Sequence, residues 1–426
     1  MTYRIAGIDV HKKMLAVVVA DVEVEGEYEF AGQRFGSHPE ELRRLSAWLS
    51  QQGVEEVVMA STAQYWQPVW GALERSGKPV CHRREGAGGM SGGLPLAQAQ
   101  SNRGRKGGKK DFPDAERLVK RLVAQELILS FVPEAEQRLW RAVTRRKYQL
   151  TRNRVQLPNR LESLLEEAHS KLSSLVSDLL GVSAPALAEG ETNPLALAAL
   201  ADQRLRASEA QLTDALGACT ELHPVYRRLL PMALPELPFL EQPRDQREQE
   251  IAALLRQHED AVQRLAEVPG LGVDSAQQII AEVGATAATV ASAQNLAAWV
   301  GACPGDEESA EVSKSHRSPK GSRHMRRLLN QAANAAVRTK GSIFQMVYRR
   351  LVPRLGHHHT IGAIAHRLGR LIWLILHRGV RYEERGPAVS QRSIRQRTRK
   401  MIRELQKLGY RVERLSVVAN APAPAQ

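Results

Sequence analysis

The sequence predicts an α/β domain followed by a mainly helical remainder, an α/β plus α chain. Three observations carry that division. Residues 1 to about 130 alternate short β-branched runs with amphipathic stretches, and residues 134 to about 264 place Leu at helical spacing among many Arg and Glu. From Val268 onward a Pro-Gly-Leu-Gly turn introduces a series of basic helical segments. The boundaries drawn from these shifts are 1–130, 131–264 and 265–426.

Size and charge narrow the possibilities. At 426 residues the chain exceeds what one small core organises, and two or three domains are expected. Sixty Lys and Arg stand against 46 Asp and Glu, a formal charge of +14, which points to a polyanionic partner, nucleic acid ahead of a membrane surface. No apolar run approaches the roughly 20 residues that span a bilayer, and no secretory pattern opens the sequence. A soluble, cytoplasmic, nucleoid-associated protein with no membrane partner is therefore expected. Cys81, Cys219 and Cys303 are far apart and lack metal-ligand spacing, so they read as small buried hydrophobes.

The first element is the run Arg4-Ile5-Ala6-Gly7-Ile8-Asp9-Val10, followed by a second apolar run, Leu15 to Val19. Together they read as a hairpin of two buried strands. Asp9 inside a buried strand carries a charge that something must neutralise, and a divalent metal is one solution. A salt bridge or a turn cap is the other. A third strand is predicted near Tyr28 to Phe35, then a helix from Pro39 to Gln51 with Leu42, Leu45 and Leu49 on one face. A strand from Glu56 to Ala60, a helix from near Tyr65 and a short strand from Pro79 to His82 come next. Three antiparallel strands and then helix-strand units describe a ribonuclease-H-like sheet.

Residues 85 to 108 turn to Gly, Ser, Gln and Arg, the composition of a basic loop. The loop ends in Lys110-Asp111-Phe112-Pro113-Asp114, where Asp111 reads as a helix cap and Pro113 as a first-turn proline. Leu118, Leu122 and Val123 are the expected core of that helix. Asp111 and Asp114, three apart, face the same way. Two acids at a helix start also suit the helix dipole alone; placed after a sheet that already offers Asp9, they favour metal binding.

The middle third has apolar positions at Leu139, Val143, Leu150, Leu157, Leu161, Leu164 and Leu165, a helical and coiled-coil-like pattern. Its basic residues Arg141, Arg145, Arg146, Lys147, Arg152, Arg154 and Arg160 form either a solvated face or a phosphate-contacting one. Pro158, Pro185, Pro194 and four prolines between 231 and 243 are expected to interrupt it.

Val268-Pro269-Gly270-Leu271-Gly272 with the helix Ser275 to Val283 resembles a helix-hairpin-helix motif, in which Gly270 and Gly272 bring backbone N–H groups to a DNA phosphate. A tight turn between helices is the alternative. A polar loop from Asp306 to Gly321 holds Ser309, Lys314, Arg317 and Lys320, and basic helices are predicted over Met325 to Arg338, Ile343 to Leu355, Ile361 to His377 and Arg392 to Leu408. His357, His358 and His359 cannot all face one ion on a helix and read as a polar lead-in or phosphate contacts.

Taken together, Gly7-Ile8-Asp9-Val10-His11-Lys12, Met59-Ala60-Ser61-Thr62 with Tyr65-Trp66, Lys110-Asp111 with Asp114-Ala115-Glu116, the Val268 to Gly272 turn, Cys303-Pro304-Gly305 with Glu308-Ser309-Ala310, and the terminal Leu408 to Val412 resemble the DEDD transposases of the insertion-sequence one-ten type, bridge-RNA-guided recombinases. The resemblance implies a RuvC-like N-terminal domain, a helical coiled-coil insert and a C-terminal transposase domain. It places Asp9, Asp111 and Asp114 on three of four Mg²⁺-binding acids and Ser309 on a nucleophile. It implies donor and target DNA and a non-coding guide RNA as partners, and a homodimer assembling to a tetramer in which the acids of one subunit act with the serine of another.

Two stretches depart from the family pattern. Ala60 stands where the fourth acid, a Glu, belongs, and Ala310-Glu311-Val312 follow Ser309 where small residues and a lysine are usual. Drift or a deliberate substitution leaves the same trace at 60, and retention of the other four residues favours the second. A RuvC-like nuclease using water, and a nucleic-acid-binding protein without catalysis, are the rival functions.

Overall fold

The computed structural model describes residues 3–22, 28–61, 63–76, 94–99, 102, 111–167, 174–175, 193–199, 207–217, 225, 229, 232, 236–303, 307–309, 312–315, 318–384 and 391–412. Two compact units are distinguished: 1–262 with 277–296 and 376–378, and 263–276 with 297–375 and 379–426.

The first unit opens with a six-stranded sheet made of β1 (Tyr3–Val10), β2 (Met14–Val22), β3 (Phe30–Gly36), β4 (Glu56–Ser61), β5 (Leu96–Gln98) and β6 (Leu129–Ser130). Its order is β3-β2-β1-β4-β5-β6. The first three strands are antiparallel, β4 joins β1 and β5 joins β4 in parallel, and β6 closes the edge antiparallel. This is the arrangement expected of the ribonuclease-H-like, RuvC-like domain. Beyond β6 the described elements are helices apart from one hairpin, so the α/β plus α division holds.

One face of the sheet packs on α1 (Pro39–Gln51) and α2 (Trp66–Ser76), with Ile8, Val10, Val57 and Met59 meeting Leu42, Leu45, Leu49, Val69 and Leu73. The other face receives α3 (Asp111–Val123). Alternation along the strands sends Ile5, Gly7 and Asp9 to this second face. Gly7, Val18 and Gly32 form one row across β1, β2 and β3. A Cβ on Gly7 would collide with the Ala115 carbonyl oxygen and reach Val119 Cγ2 at 2.9 Å, and one on Gly32 would touch the Phe112 ring at 3.1 Å. Two missing side chains thus let α3 lie directly on the sheet. Ala115, Leu118 and Val119 are its fully buried residues, with Leu122 partly buried. Val123, expected in the core, is exposed, because it lies one position off the 115-118-119-122 stripe.

The basic stretch after α2 also departs from expectation. The loop predicted over 85 to 108 contains strand β5, whose Leu96 and Ala97 are buried beside Leu94. Three residues bracketed by glycines and a proline are too few to show a strand periodicity. The strand expected from Pro79 to His82 lies outside the described residues.

The long helix α4 (Ala135–Glu167) runs through Pro158 without ending there. Its buried stripe is Gln137, Trp140, Thr144, Lys147, Leu150, Leu157, Leu161 and Leu165, whereas Leu139 is exposed and Val143 only half-buried. Polar residues occupy the first half of the stripe, so following leucines alone misplaces the face. Helix Glu236–Leu254 lies antiparallel to α4, pairing Glu248 with Lys147 at 3.4 Å and Glu241 with Arg154 at 2.8 Å. Arg145 grips the buried Glu282 carboxylate through two bonds of 2.7 and 2.8 Å, and Arg141 Nε donates to the Ala281 carbonyl at 3.1 Å. Burial pushes the Arg141 guanidinium down to about 10. These four basic residues are committed to partners inside the fold.

In the second unit, the turn after helix Glu259–Ala266 brings Gly270, at φ +88°, against helix Arg323–Ala336. A Cβ there would collide with the Ala332 carbonyl and stand 2.7 Å from the Ala336 nitrogen. The polar stretch expected to be loop from Asp306 contains a short antiparallel hairpin, Glu307–Ser309 with Val312–Ser315. The helix Ile343–Arg378 breaks at Gly356, φ +72°, which separates the two helical segments read in the sequence. Cys303 is half-buried, and Cys81 and Cys219 lie outside the described residues. Among the described residues no helix is long and apolar enough to cross a membrane.

Replacing Gly7 by Ala forces α3 off the sheet or strains it. We expect Gly7→Ala to cost about 1–3 kcal/mol of stability, the range for overpacking a filled core, read as a lower urea midpoint with unchanged slope.

Candidate metal centre

The row of the sheet next to Gly7 is built around one carboxylate. Asp9 pairs with Ala16 of β2 on one side and Ala60 of β4 on the other, Ala16 pairs with Arg34 of β3, and Ala60 pairs with Ala97 of β5. Ala16, Ala60 and Ala97 are buried and small. The side chain of Asp9, 17% exposed, stands between them facing the start of α3.

Around Asp9 the structure gathers His11 and Asp111. His11 Nε2 lies 3.0 Å from Asp9 Oδ2 and 3.4 Å from Asp111 Oδ1. That nitrogen is shielded from solvent and faces both carboxylates. The turn places it, His11 donating its backbone N–H to the Met14 carbonyl at 3.0 Å. One donor atom from each of the three residues falls within 4.8 Å of the others. Arg34 approaches Asp111 at 3.8 Å while its guanidinium stacks over Phe112, 5.4 Å from the ring centre.

Burial raises the Asp9 carboxyl above its ordinary value of 3.8; His11 opposes this, and the charges of Asp114 and Asp111 add to it. A carboxylate desolvated beside two others is the electrostatic setting in which a bound cation is favourable. Asp114 is close enough to act on Asp9 through its charge, yet its Oδ1 accepts a 2.7 Å bond from Arg117 and stands outside the three-residue group. Arg117 also donates to the Asn102 carbonyl, and the Asn102 amide donates to the Asp114 carbonyl at 3.1 Å, which ties down the first turn of α3. Hard carboxylate oxygens grouped with a shielded imidazole nitrogen suit a divalent metal.

The remaining residues singled out in the sequence lie in the second unit. Ser309 ends the first strand of the hairpin, in register with Val312, and Lys314 is on the second. Arg317 falls outside the described residues, and Lys320 is exposed ahead of helix Arg323–Ala336. Gly272 is exposed with open space at its α-carbon, whereas Gly270 is pressed on a helix backbone.

Comparison with known families decides the identity. Residues 6–170 match the IS110 DEDD family model, described as Transposase, and residues 262–349 match the one described as Transposase IS116/IS110/IS902 family. The chain belongs to the IS110-type DEDD transposases. It is thus a DNA transposase, and its substrate is DNA. Thermus thermophilus RuvC, among solved structures, aligns with 30% of this chain and 99% of its own at 15% identity and a TM-score of 0.21. No curated protein matches the sequence.

Four residues around the candidate centre were not assigned a site role from the sequence: His11, Arg34, Asn102 and Arg117. His11 and Arg117 had a visible signal, standing two residues after Asp9 and three after Asp114. Arg34 and Asn102 depend on strand register and on a long-range turn.

With its pKa raised, Asp9 contributes stability that is present below 3.8 and lost as pH rises through its higher folded value. At neutral pH the ionised side chain is a net cost in the metal-free protein. We expect Asp9→Asn to raise the metal-free melting temperature at pH 7 and to abolish the further rise that a divalent ion gives the parent chain.

Proposed function

We propose that this transposase cuts and rejoins DNA through a phosphoserine intermediate on Ser309, with Mg²⁺ held by Asp9, Asp111 and Asp114, and that Ala60 leaves it impaired. The observation that carries the reading is the Asp9 row: the strand register sets position 60 directly beside Asp9, and neighbouring strands are about 4.8 Å apart. A Glu there would add a carboxylate to a group that already holds Asp9 and Asp111. Ala60 instead offers a buried methyl.

In this reading the Ser309 hydroxyl oxygen attacks phosphorus. One P–O bond forms as the bond to the departing sugar oxygen breaks, and a later sugar hydroxyl reverses the exchange, so rejoining needs no external energy. Lys314, Arg317 and Lys320 neutralise the phosphate, and Gly272 at the open side of the hairpin turn admits a backbone phosphate. Bound Mg²⁺ would supply charge neutralisation at the scissile phosphate. A non-coding RNA selects the DNA by base pairing, and the active assembly is a tetramer built from dimers, joined so that one subunit's serine meets another's acids. The exposed Arg349, Arg350 and Arg354 and the neighbouring His357 to His359 suit a polyanion of either kind.

The test uses Ala60→Glu protein with Mg²⁺, guide RNA and end-labelled DNA. A covalent protein–DNA adduct that disappears on Ser309→Ala is the expected result. A revertant as inert as the parent chain sinks the role given to position 60, and undiminished cleavage by Ser309→Ala identifies a water-using nuclease instead.

A further inference from the structure

We infer that His11 is itself a ligand of the divalent ion, its Nε2 supplying the donor that Ala60 lacks, and that the site consequently prefers manganese to magnesium. The inference rests on the reading that Asp9 and Asp111 hold a divalent ion. Its first support is metrical. With metal-donor bonds of roughly 2.0–2.2 Å, adjacent donors stand about 3.0 Å apart around an octahedral ion and about 3.4 Å apart around a tetrahedral one. His11 Nε2 lies 3.0 Å from Asp9 Oδ2 and 3.4 Å from Asp111 Oδ1. Both separations fall in the range of donor-donor spacings around one ion, and one donor atom from each of the three residues lies within 4.8 Å of the others.

The second support is the state of the nitrogen. Nε2 is shielded from solvent and faces both carboxylates at once, 3.0 Å from one and 3.4 Å from the other. A histidine present only to neutralise one acid would aim its N–H at that acid alone, whereas this nitrogen is shared between two. The turn that carries it is fixed by the His11 to Met14 backbone bond, so the ring is delivered by the hairpin itself.

The third support is chemical. Three acids and a Glu would make an all-oxygen set suited to Mg²⁺, which demands near-ideal oxygen geometry. Ala60 removes one oxygen donor, and an imidazole in its stead favours first-row transition ions over magnesium. Asp114 has Oδ1 bonded to Arg117 and brings the ion only its other oxygen, so it does not make up for the missing Glu.

Binding of Mn²⁺ to the full chain, followed by electron paramagnetic resonance, tests this, with Mg²⁺ measured by competition. We expect Mn²⁺ to bind more tightly than Mg²⁺, with a nitrogen coupling from one imidazole in the pulsed spectrum. His11→Ala and the gentler His11→Gln are each expected to lose that coupling and to weaken Mn²⁺ at least about tenfold, the lower end of what losing even an outer partner costs. Mg²⁺ affinity should change far less. Binding that depends on Asp111 but shows no nitrogen coupling and is unmoved or strengthened in both His11 variants overturns the proposal and leaves the acid site standing. Binding indifferent to Asp9→Asn and Asp111→Asn removes the acid site as well.

Discussion

The close approach of α3 to the sheet is the constraint on which the rest depends. Gly7 and Gly32, separated by Val18 in one row, have no side chains to hold the helix away, so Ala115 and the Phe112 ring rest on the strands. Seated there, the first turn of α3 stands over the adjacent row and sets Asp111 within reach of His11 and Asp9. The acids of a DNA transposase come from a strand and a helix about a hundred residues apart, and two glycines are what make them neighbours.

That proximity opposes stability. Asp9 is desolvated and flanked by like charges, which raises its carboxyl, and Asp114 and Asp111 are held from solvated alternatives by Arg117, Asn102 and Arg34. Such an arrangement persists because the surrounding core over-determines it: β1 and β2 are buried on both faces, and α3 has no other place to put Ala115, Leu118 and Val119. The fold holds the carboxylates where a cation would relieve their repulsion, with the His11 nitrogen facing both.

Much of this was legible in the sequence, for identifiable reasons. β1, β2, α1 and β4 announce themselves through β-branched runs and the Leu42, Leu45, Leu49 stripe, and Asp9 is conspicuous as an acid inside an apolar run. What stayed hidden needed three dimensions. β5 and β6 are three and two residues long and exist only because their neighbours provide partners. The hairpin carrying Ser309 has no apolar alternation, so nothing distinguishes it from loop. Pro158 failed as a helix breaker because Leu157, Leu161 and Leu165 stay buried on either side of it, and packing outweighs one lost backbone bond. His11 was read as part of a motif and not as a donor, since only the hairpin turn reveals that it folds back over Asp9.

The central claim is that residues from β1 and the start of α3 enclose a single divalent ion. Anomalous diffraction from crystals grown with Mn²⁺ measures this directly. The account predicts one peak bonded to the carboxylates of Asp9 and Asp111, at roughly 2.2 Å from an oxygen of each. A peak elsewhere, or none, with His11 still paired to Asp9, would contradict it.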